Sequence, residues 1–187
     1  MPVLKKYKLP EKFLLSVGTI EQRKNMVGLL EGMFMKRINI PLVVVGKPTD
    51  YIQKVQEVIA KHPHELKVLF LSRVSNADLQ ALYQSAMVMI YPSIFEGFGL
   101  PVAEAQASGC PVITSNISSM PEAGGNGAIY CDPEKPDEIG QAIETLLNDS
   151  TLRETLIEKG KMNAQRFTPA NYARQLNQLY NTVLNDK

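Results

Sequence analysis

The sequence has no surplus of charge of either sign. Lys plus Arg total 20, Asp plus Glu total 19, and the formal net charge over 187 residues is +1. That excludes a general coat for nucleic acid or an anionic membrane, since both need a positive excess; a local basic patch is still allowed. Cysteine is scarce: Cys110 and Cys131 are the only two, too few for a disulfide scaffold. Each lies beside a short apolar run and reads as a core thiol, compatible with a reducing cytosol. No run approaches the ~20 apolar residues of a membrane-spanning helix. The opening Met1-Pro2-Val3-Leu4-Lys5-Lys6 lacks the apolar segment of a signal peptide. Histidine occurs only as His62 and His64, in Lys61-His62-Pro63-His64-Glu65. That string reads as a solvated helix-to-strand turn, not a metal site. What is present is a globular composition, 44% hydrophobic and 21% charged, which excludes disorder across the chain. The length suits one domain.

Five short apolar runs stand out: Phe13–Val17, Leu42–Val45, Val68–Leu71, Met87–Tyr91 and Val112–Thr114. Their brevity and richness in Val, Ile, Leu and Met suit strands buried on both faces of a parallel sheet. Helical spacing of apolar residues lies between them, over Asn25–Ile38, Tyr51–Ala60, Ser75–Ser85 and Pro101–Ser108. The last opens on a proline and ends at Gly109. Strand and helix alternate through short loops, the rhythm of a doubly wound α/β domain. Ligands of such sheets lie outside the carboxyl ends of the strands. The loops to search are therefore Gly18–Lys24, Gly46–Asp50, Ser72–Ser75 and Pro92–Leu100. The C-terminal third reads as three helices, Pro136–Asp149, Leu152–Phe167 and Pro169–Asn185. The last carries Tyr172, Leu176, Leu179, Tyr180 and Val183 on one face, read as a core-facing stripe.

The strongest chemical signal is Glu96-Gly97-Phe98-Gly99-Leu100-Pro101-Val102-Ala103-Glu104. A glycine-containing loop leads from a strand into a helix N-terminus, whose free N–H groups and partial positive charge suit a phosphate. Glycines let a ligand approach the backbone. Carboxylates do not bind phosphates, but they accept hydrogen bonds from sugar hydroxyls. Glu96 above the seat and Glu104 one turn into the helix would each serve one sugar ring of a sugar–diphosphate–nucleoside. The plain alternative is a helix start with acidic residues favoured by its dipole. The second signal, Gly18-Thr19-Ile20-Glu21-Gln22-Arg23-Lys24-Asn25, lies at the same sheet edge. Arg23 and Lys24 could grip a diphosphate. Cations at a helix N-terminus oppose its dipole, which points to an anionic ligand nearby.

These two strings resemble the retaining glycosyltransferases of family 4, whose fold is GT-B. The resemblance rests on the Glu-x7-Glu pair Glu96 and Glu104, and on Val17–Asn25, which is similar to the opening of the donor domain in mannosyltransferase-like members. Leu42–Gly46, Val68–Val74, Tyr91-Pro92-Ser93, Gly109–Thr114 and Met120-Pro121-Glu122 also fit. It runs from about Leu9 to Lys187 and implies the C-terminal, nucleotide-sugar-binding half of such an enzyme. Residues 1–12 are then a remnant of the interdomain linker, 13–187 are the Rossmann-like donor domain with C-terminal helices over 136–187, and the N-terminal acceptor domain is absent.

The resemblance also implies roles. Arg23 and Lys24 hold the donor diphosphate; many members have an arginine directly after the first glycine, where this chain has Thr19, and Arg23 is the candidate to take that role. Glu96 faces the donor sugar, as positioner or nucleophile. Gly18 and the backbone of Gly97, Phe98, Gly99 and Leu100 line the sugar and phosphates. Glu104 takes the ribose, and Arg73 and Val74 lie along the base. The implied reaction is metal-independent transfer of a sugar, best mannose from GDP-mannose with UDP-sugars open, to a glycan or lipid-linked acceptor, with no separate cofactor. The isolated chain is expected to be inactive. The expected location is cytoplasmic, with any inner-membrane contact made through the missing domain. The alternatives are a non-catalytic nucleotide- or sugar-binding module and half of a GT-B nucleotide-sugar epimerase.

Overall fold

The computed structural model describes residues 2–185. Among these, six strands form one parallel sheet: β1 (Leu14–Val17), β2 (Leu42–Val45), β3 (Val68–Leu71), β4 (Val88–Tyr91), β5 (Val112–Ser115) and β6 (Ala128–Cys131). Their order is β3-β2-β1-β4-β5-β6. The chain winds outward from β1 to β3, then returns to start β4 beside β1, where Leu14 lies opposite both Leu42 and Val88. This is the doubly wound α/β architecture, and it puts the reversal of strand order between β1 and β4.

Alternation along the strands feeds two cores. Leu14, Val44, Ile90 and Ile113 face one layer, made of α2 (Met26–Met35), α3 (Ile52–Lys61) and α7 (Pro136–Asn148). Leu15, Val43, Met89 and Val112 face the other, made of α1 (Pro2–Tyr7), α4 (Asn76–Ser85), α5 (Leu100–Ala107) and α6 (Met120–Gly124). The helix α8 (Ser150–Ala164) then packs along α5, and α9 (Pro169–Asn185) follows a short turn. Within the first layer, α2 and α7 cross almost backbone to backbone. A Cβ added at Gly32 would lie 2.3 Å from the Pro136 carbonyl oxygen.

Four features differ from the sequence reading. β6 was not expected: Ala128-Ile129-Tyr130-Cys131 is as short as the other five strands, but it directly follows the glycine-rich turn Gly125–Gly127, which reads as loop. β3 is not buried on both faces: it is the sheet edge, and Leu69 and Phe70 are exposed. Residues Pro2–Tyr7, read as linker, form a helix; Val3 joins the second core, and Lys6 (2.5 Å) and Tyr7 (2.9 Å) both reach Asp78 on α4. The apolar stripe of α9 does not face a core. Both sheet faces are already covered when the chain reaches it, and Tyr172, Leu179, Tyr180 and Val183 are exposed. The two thiols are buried as expected; burial pushes Cys110 up to about 12, and burial with the charges of Glu138 and Asp132 does the same for Cys131.

The crossing of α2 and α7 makes a prediction with an unusual sign. Alanine is the better helix former by about 1 kcal/mol, yet Gly32→Ala would drive a methyl group into backbone. We expect a net loss of about 1–3 kcal/mol, as for other overpacked sites, read from the urea midpoint at unchanged m-value.

Candidate functional site: a carboxylate between two cations

The reversal point places two loops side by side. The loop after β1 contains a 3-10 turn, Gln22–Lys24, which ends at Asn25 in the left-handed region. The loop after β4 runs from Pro92 to Gly99 and enters α5. They are joined at the backbone: the Ile94 N–H donates to the Arg23 carbonyl at 2.8 Å. Gly99 caps α5 at φ +102, a conformation that disfavours other residues, and a Cβ there would meet the Met120 side chain at 2.4 Å. No side chain caps this helix; in its first turn Pro101 has no N–H and the Val102 N–H donates to the Gly99 carbonyl at 2.9 Å, so what the helix end offers a ligand is chiefly the positive end of its dipole.

Between the loops lies a cleft of about 340 Å³. Seven of the candidate residues line it: Gly18, Arg23, Lys24, Glu96, Phe98, Gly99 and Leu100, with Thr19, Tyr91 and Pro101. At its centre is the Glu96 carboxylate. Oε1 accepts from Lys24 Nζ, from Tyr91 Oη at 2.9 Å and from Ser93 Oγ at 2.8 Å. Oε2 accepts from Arg23 Nη1 at 2.6 Å. Lys24 also donates to Tyr91 Oη. The side chains of Lys24 and Glu96 are 11% and 9% exposed, whereas that of Arg23 is 42% exposed and pairs on its far side with Glu21 at 2.7 Å. Burial by itself would raise the Glu96 pKa, but the hydrogen bonds from Lys24, Ser93, Arg23 and Tyr91 outweigh it and hold the carboxyl below its ordinary value. Burial, then the charge of Glu96, pushes the Tyr91 phenol well above its ordinary range.

The backbone of Glu96 is fixed from a third loop, after β5. Ser118, in the left-handed region at φ 58, accepts from the Glu96 N–H at 3.1 Å and donates to its carbonyl at 2.9 Å; Ser119 donates to the same carbonyl at 3.0 Å. Thr114 and Ser115 donate to the carbonyls of Tyr91 and Ser93, at 2.8 and 2.5 Å. Sequence reasoning missed Tyr91, Ser93, Ser118 and Ser119 as site residues. The signal available was a cluster of small hydroxyl residues at the ends of neighbouring strands.

The remaining candidates lie elsewhere. Glu104 opens onto a separate groove of about 320 Å³ between α4 and α5, where Tyr83 Oη donates to its Oε2 at 3.0 Å. Arg73 stands in the loop after β3 in the left-handed region at φ 57, and Val74 packs against the second core. Neither lines the cleft at Glu96, nor does Gly97, whose missing Cβ would meet nothing within 4 Å.

The family model for group 1 glycosyl transferases matches residues 4–163, most of the chain. The chain belongs to that family. It is 34% identical to the O-antigen chain mannosyltransferase B of Escherichia coli over 94% of its own length and 47% of that protein. It is 35% identical to the O-antigen chain mannosyltransferase RfbU of Salmonella typhimurium over 73% and 38%. It thus spans about half the length, or less, of these curated relatives. Among solved structures, sucrose-phosphate synthase from Thermosynechococcus elongatus superposes with a TM-score of 0.80 at 26% identity, covering 99% of this chain and 49% of that one. The fold is also that of the C-terminal domain of a group 1 family glycosyl transferase from Francisella tularensis, at TM-score 0.74 and 22% identity, covering 89% and 91%. These matches bear out the GT-B, Rossmann-like reading. No helix among the described residues is long and apolar enough to cross a membrane.

The depressed pKa of Glu96 fixes the sign of a pH dependence. Its ion pairs add stability above the ordinary carboxyl value of 4.5, and that stability is lost as pH falls through the lower folded value. Glu96→Gln, which removes the negative charge between Lys24 and Arg23, should cost about 1–3 kcal/mol at neutral pH. The gap in melting temperature between wild type and Glu96→Gln should hold from pH 7 to about pH 5 and shrink at more acid pH.

Proposed function

We propose that the chain is the donor-binding part of a retaining glycosyltransferase that moves a sugar from a nucleoside diphosphate to an acceptor hydroxyl on a glycan or lipid-linked glycan. The observation that carries this is the meeting of Lys24 and Arg23 with Glu96 at the uncapped N-terminus of α5. Two cations and a helix terminus make a seat for two phosphates. A carboxylate within reach of both is placed to accept hydroxyls of the sugar attached to them. Membership in the group 1 family supports the same reading.

The reaction then follows from charge. As the bond between the anomeric carbon and the diphosphate lengthens, negative charge builds on the leaving group. Lys24, Arg23 and the α5 dipole stabilise it more in the transition state than in the ground state. Those cations supply the positive charge that a divalent ion supplies in other transferases, so the reading is of a metal-independent site. Glu96 positions the sugar at the carbon where positive charge develops. The donor we favour is GDP-mannose, because both O-antigen relatives are mannosyltransferases; a UDP-sugar is the alternative. Glu104 is assigned to the ribose, with the base along Arg73 and Val74. The acceptor is assigned to the second domain of the GT-B fold, through which any membrane contact of a cytoplasmic enzyme would also be made.

Calorimetric titration of the chain with GDP, UDP, GDP-mannose and UDP-glucose, in EDTA, tests this. One nucleotide class should bind saturably and its sugar should tighten it; binding of none, or only with added metal, would overturn the reading. Lys24→Ala should weaken the nucleoside diphosphate at least about tenfold, the scale of one lost charge-assisted hydrogen bond, and leave the bare nucleoside unchanged. Glu104→Ala should weaken nucleotide and nucleotide sugar by the same factor; selective loss of the sugar-bearing ligand would exchange its role with that of Glu96.

A further inference from the structure

The two oxygens of the Glu96 carboxylate are not equivalent. Oε1 has three donors, the buried Tyr91 and Ser93 and the nearly buried Lys24. Its lone pairs are fully used. Oε2 has Arg23, whose side chain is 42% exposed and already holds Glu21 as a second partner. Oε2 is therefore the oxygen that can exchange its partner for a ligand hydroxyl.

The group that enforces this difference is the Tyr91 phenol. The residue is 2% exposed and belongs to the core on the α1, α4 and α5 side of the sheet, so the hydroxyl has little freedom. That hydroxyl donates to Glu96 Oε1 and accepts from Lys24. It thus ties the sugar-facing acid to the phosphate-facing cation, and the Lys24 ammonium also lies 4.7 Å from the ring centroid. We infer that Tyr91 is a positioning residue: it pins Oε1 so that Oε2 faces the donor sugar, and it thereby sets how much the attached sugar adds to donor affinity. The inference rests on the donor-site reading above. With its pKa raised by burial and then by the Glu96 charge, the phenol stays protonated and remains a donor to Oε1 across the neutral range. When the donor arrives, a sugar hydroxyl replaces Arg23 at Oε2, and Arg23 turns to the diphosphate. Ser93, fully buried and held at its carbonyl by Ser115, is the weaker second pin on Oε1.

Tyr91→Phe keeps the ring and its packing and removes the hydroxyl. The readout is the ratio of dissociation constants for nucleoside diphosphate and nucleotide sugar, using whichever pair from the four-ligand titration the wild type binds. We expect the nucleoside diphosphate to bind Tyr91→Phe within about threefold of wild type, because Lys24 and Arg23 remain. The wild-type ratio should collapse to near one, as it should in Glu96→Gln, with the melting temperature within a few degrees of wild type. A merely structural role would weaken both ligands together. A ratio unchanged in Tyr91→Phe overturns the inference while leaving the donor site standing. A wild type that binds none of the four ligands overturns the donor-site reading, and the inference with it. Should Tyr91→Phe fail to fold, Ser93→Ala decides: a reduced ratio supports the pinned-oxygen arrangement, and an unchanged one overturns it.

Discussion

The structure at the carboxyl edge of the sheet depends on one carboxylate, that of Glu96, held between Lys24 and Arg23. Removing a charge from water costs several kcal/mol even after relaxation. A glutamate with 9% exposure is tolerable only with partners on every side. Those partners come from separate segments: Lys24 and Arg23 after β1, Tyr91 at the end of β4, and Ser93 in the loop that follows. Satisfying the carboxylate therefore fixes two loops against each other. The Ile94–Arg23 backbone bond and the Ser118 and Ser119 clamp on the Glu96 peptide complete the lock.

The topology explains why the lock can form. Strand order reverses between β1 and β4, so the loops after these adjacent strands diverge to opposite faces and leave a crevice between them. The same reversal brings the N-terminus of α5 to the crevice. A dipole with no side-chain cap and two cations then share one space. Without an acid this would be a cluster of like charge. Glu96 neutralises part of it, which makes the placement of Arg23 and Lys24 beside a helix N-terminus physically reasonable.

Much of this was legible from residue type and spacing. The runs at Leu14–Val17, Leu42–Val45, Val88–Tyr91 and Val112–Ser115 announce themselves because both faces are buried and every position is apolar or small. Ala128–Cys131 is equally apolar, but the glycine-rich turn directly before it reads as loop and hides the run. Val68–Leu71 was legible as a strand but not as an edge, because β-branched and aromatic residues suit either place. For the stripe on α9, periodicity shows that a helix has an apolar face, not what the face meets. At the site, Lys24, Arg23 and Glu96 could be found because charge in a loop after a strand is conspicuous. Tyr91 and Ser93 could not. At the end of a buried strand, a tyrosine reads as core, and its ring is core; only the position of its hydroxyl, set by the register of β4 against β1, makes it part of the site.

The arrangement also assigns different work to its two cations. Lys24 is nearly buried and bonded to both Tyr91 and Glu96, so it cannot leave without exposing the carboxylate. Arg23 is anchored less: it has Glu21 and the Phe95 carbonyl as further partners and a largely open side chain. On the proposed donor-site reading, an incoming diphosphate would meet a fixed charge and a movable one. The fixed charge would define where the phosphates sit. The movable one would exchange a carboxylate oxygen for a phosphate oxygen, a substitution of one charge-assisted hydrogen bond for another that costs little. In the same exchange the vacated carboxylate oxygen would become available to a sugar hydroxyl. Recognition of phosphate and of sugar would then be two halves of a single rearrangement about Glu96, and a ligand carrying only one of them would complete only half of it.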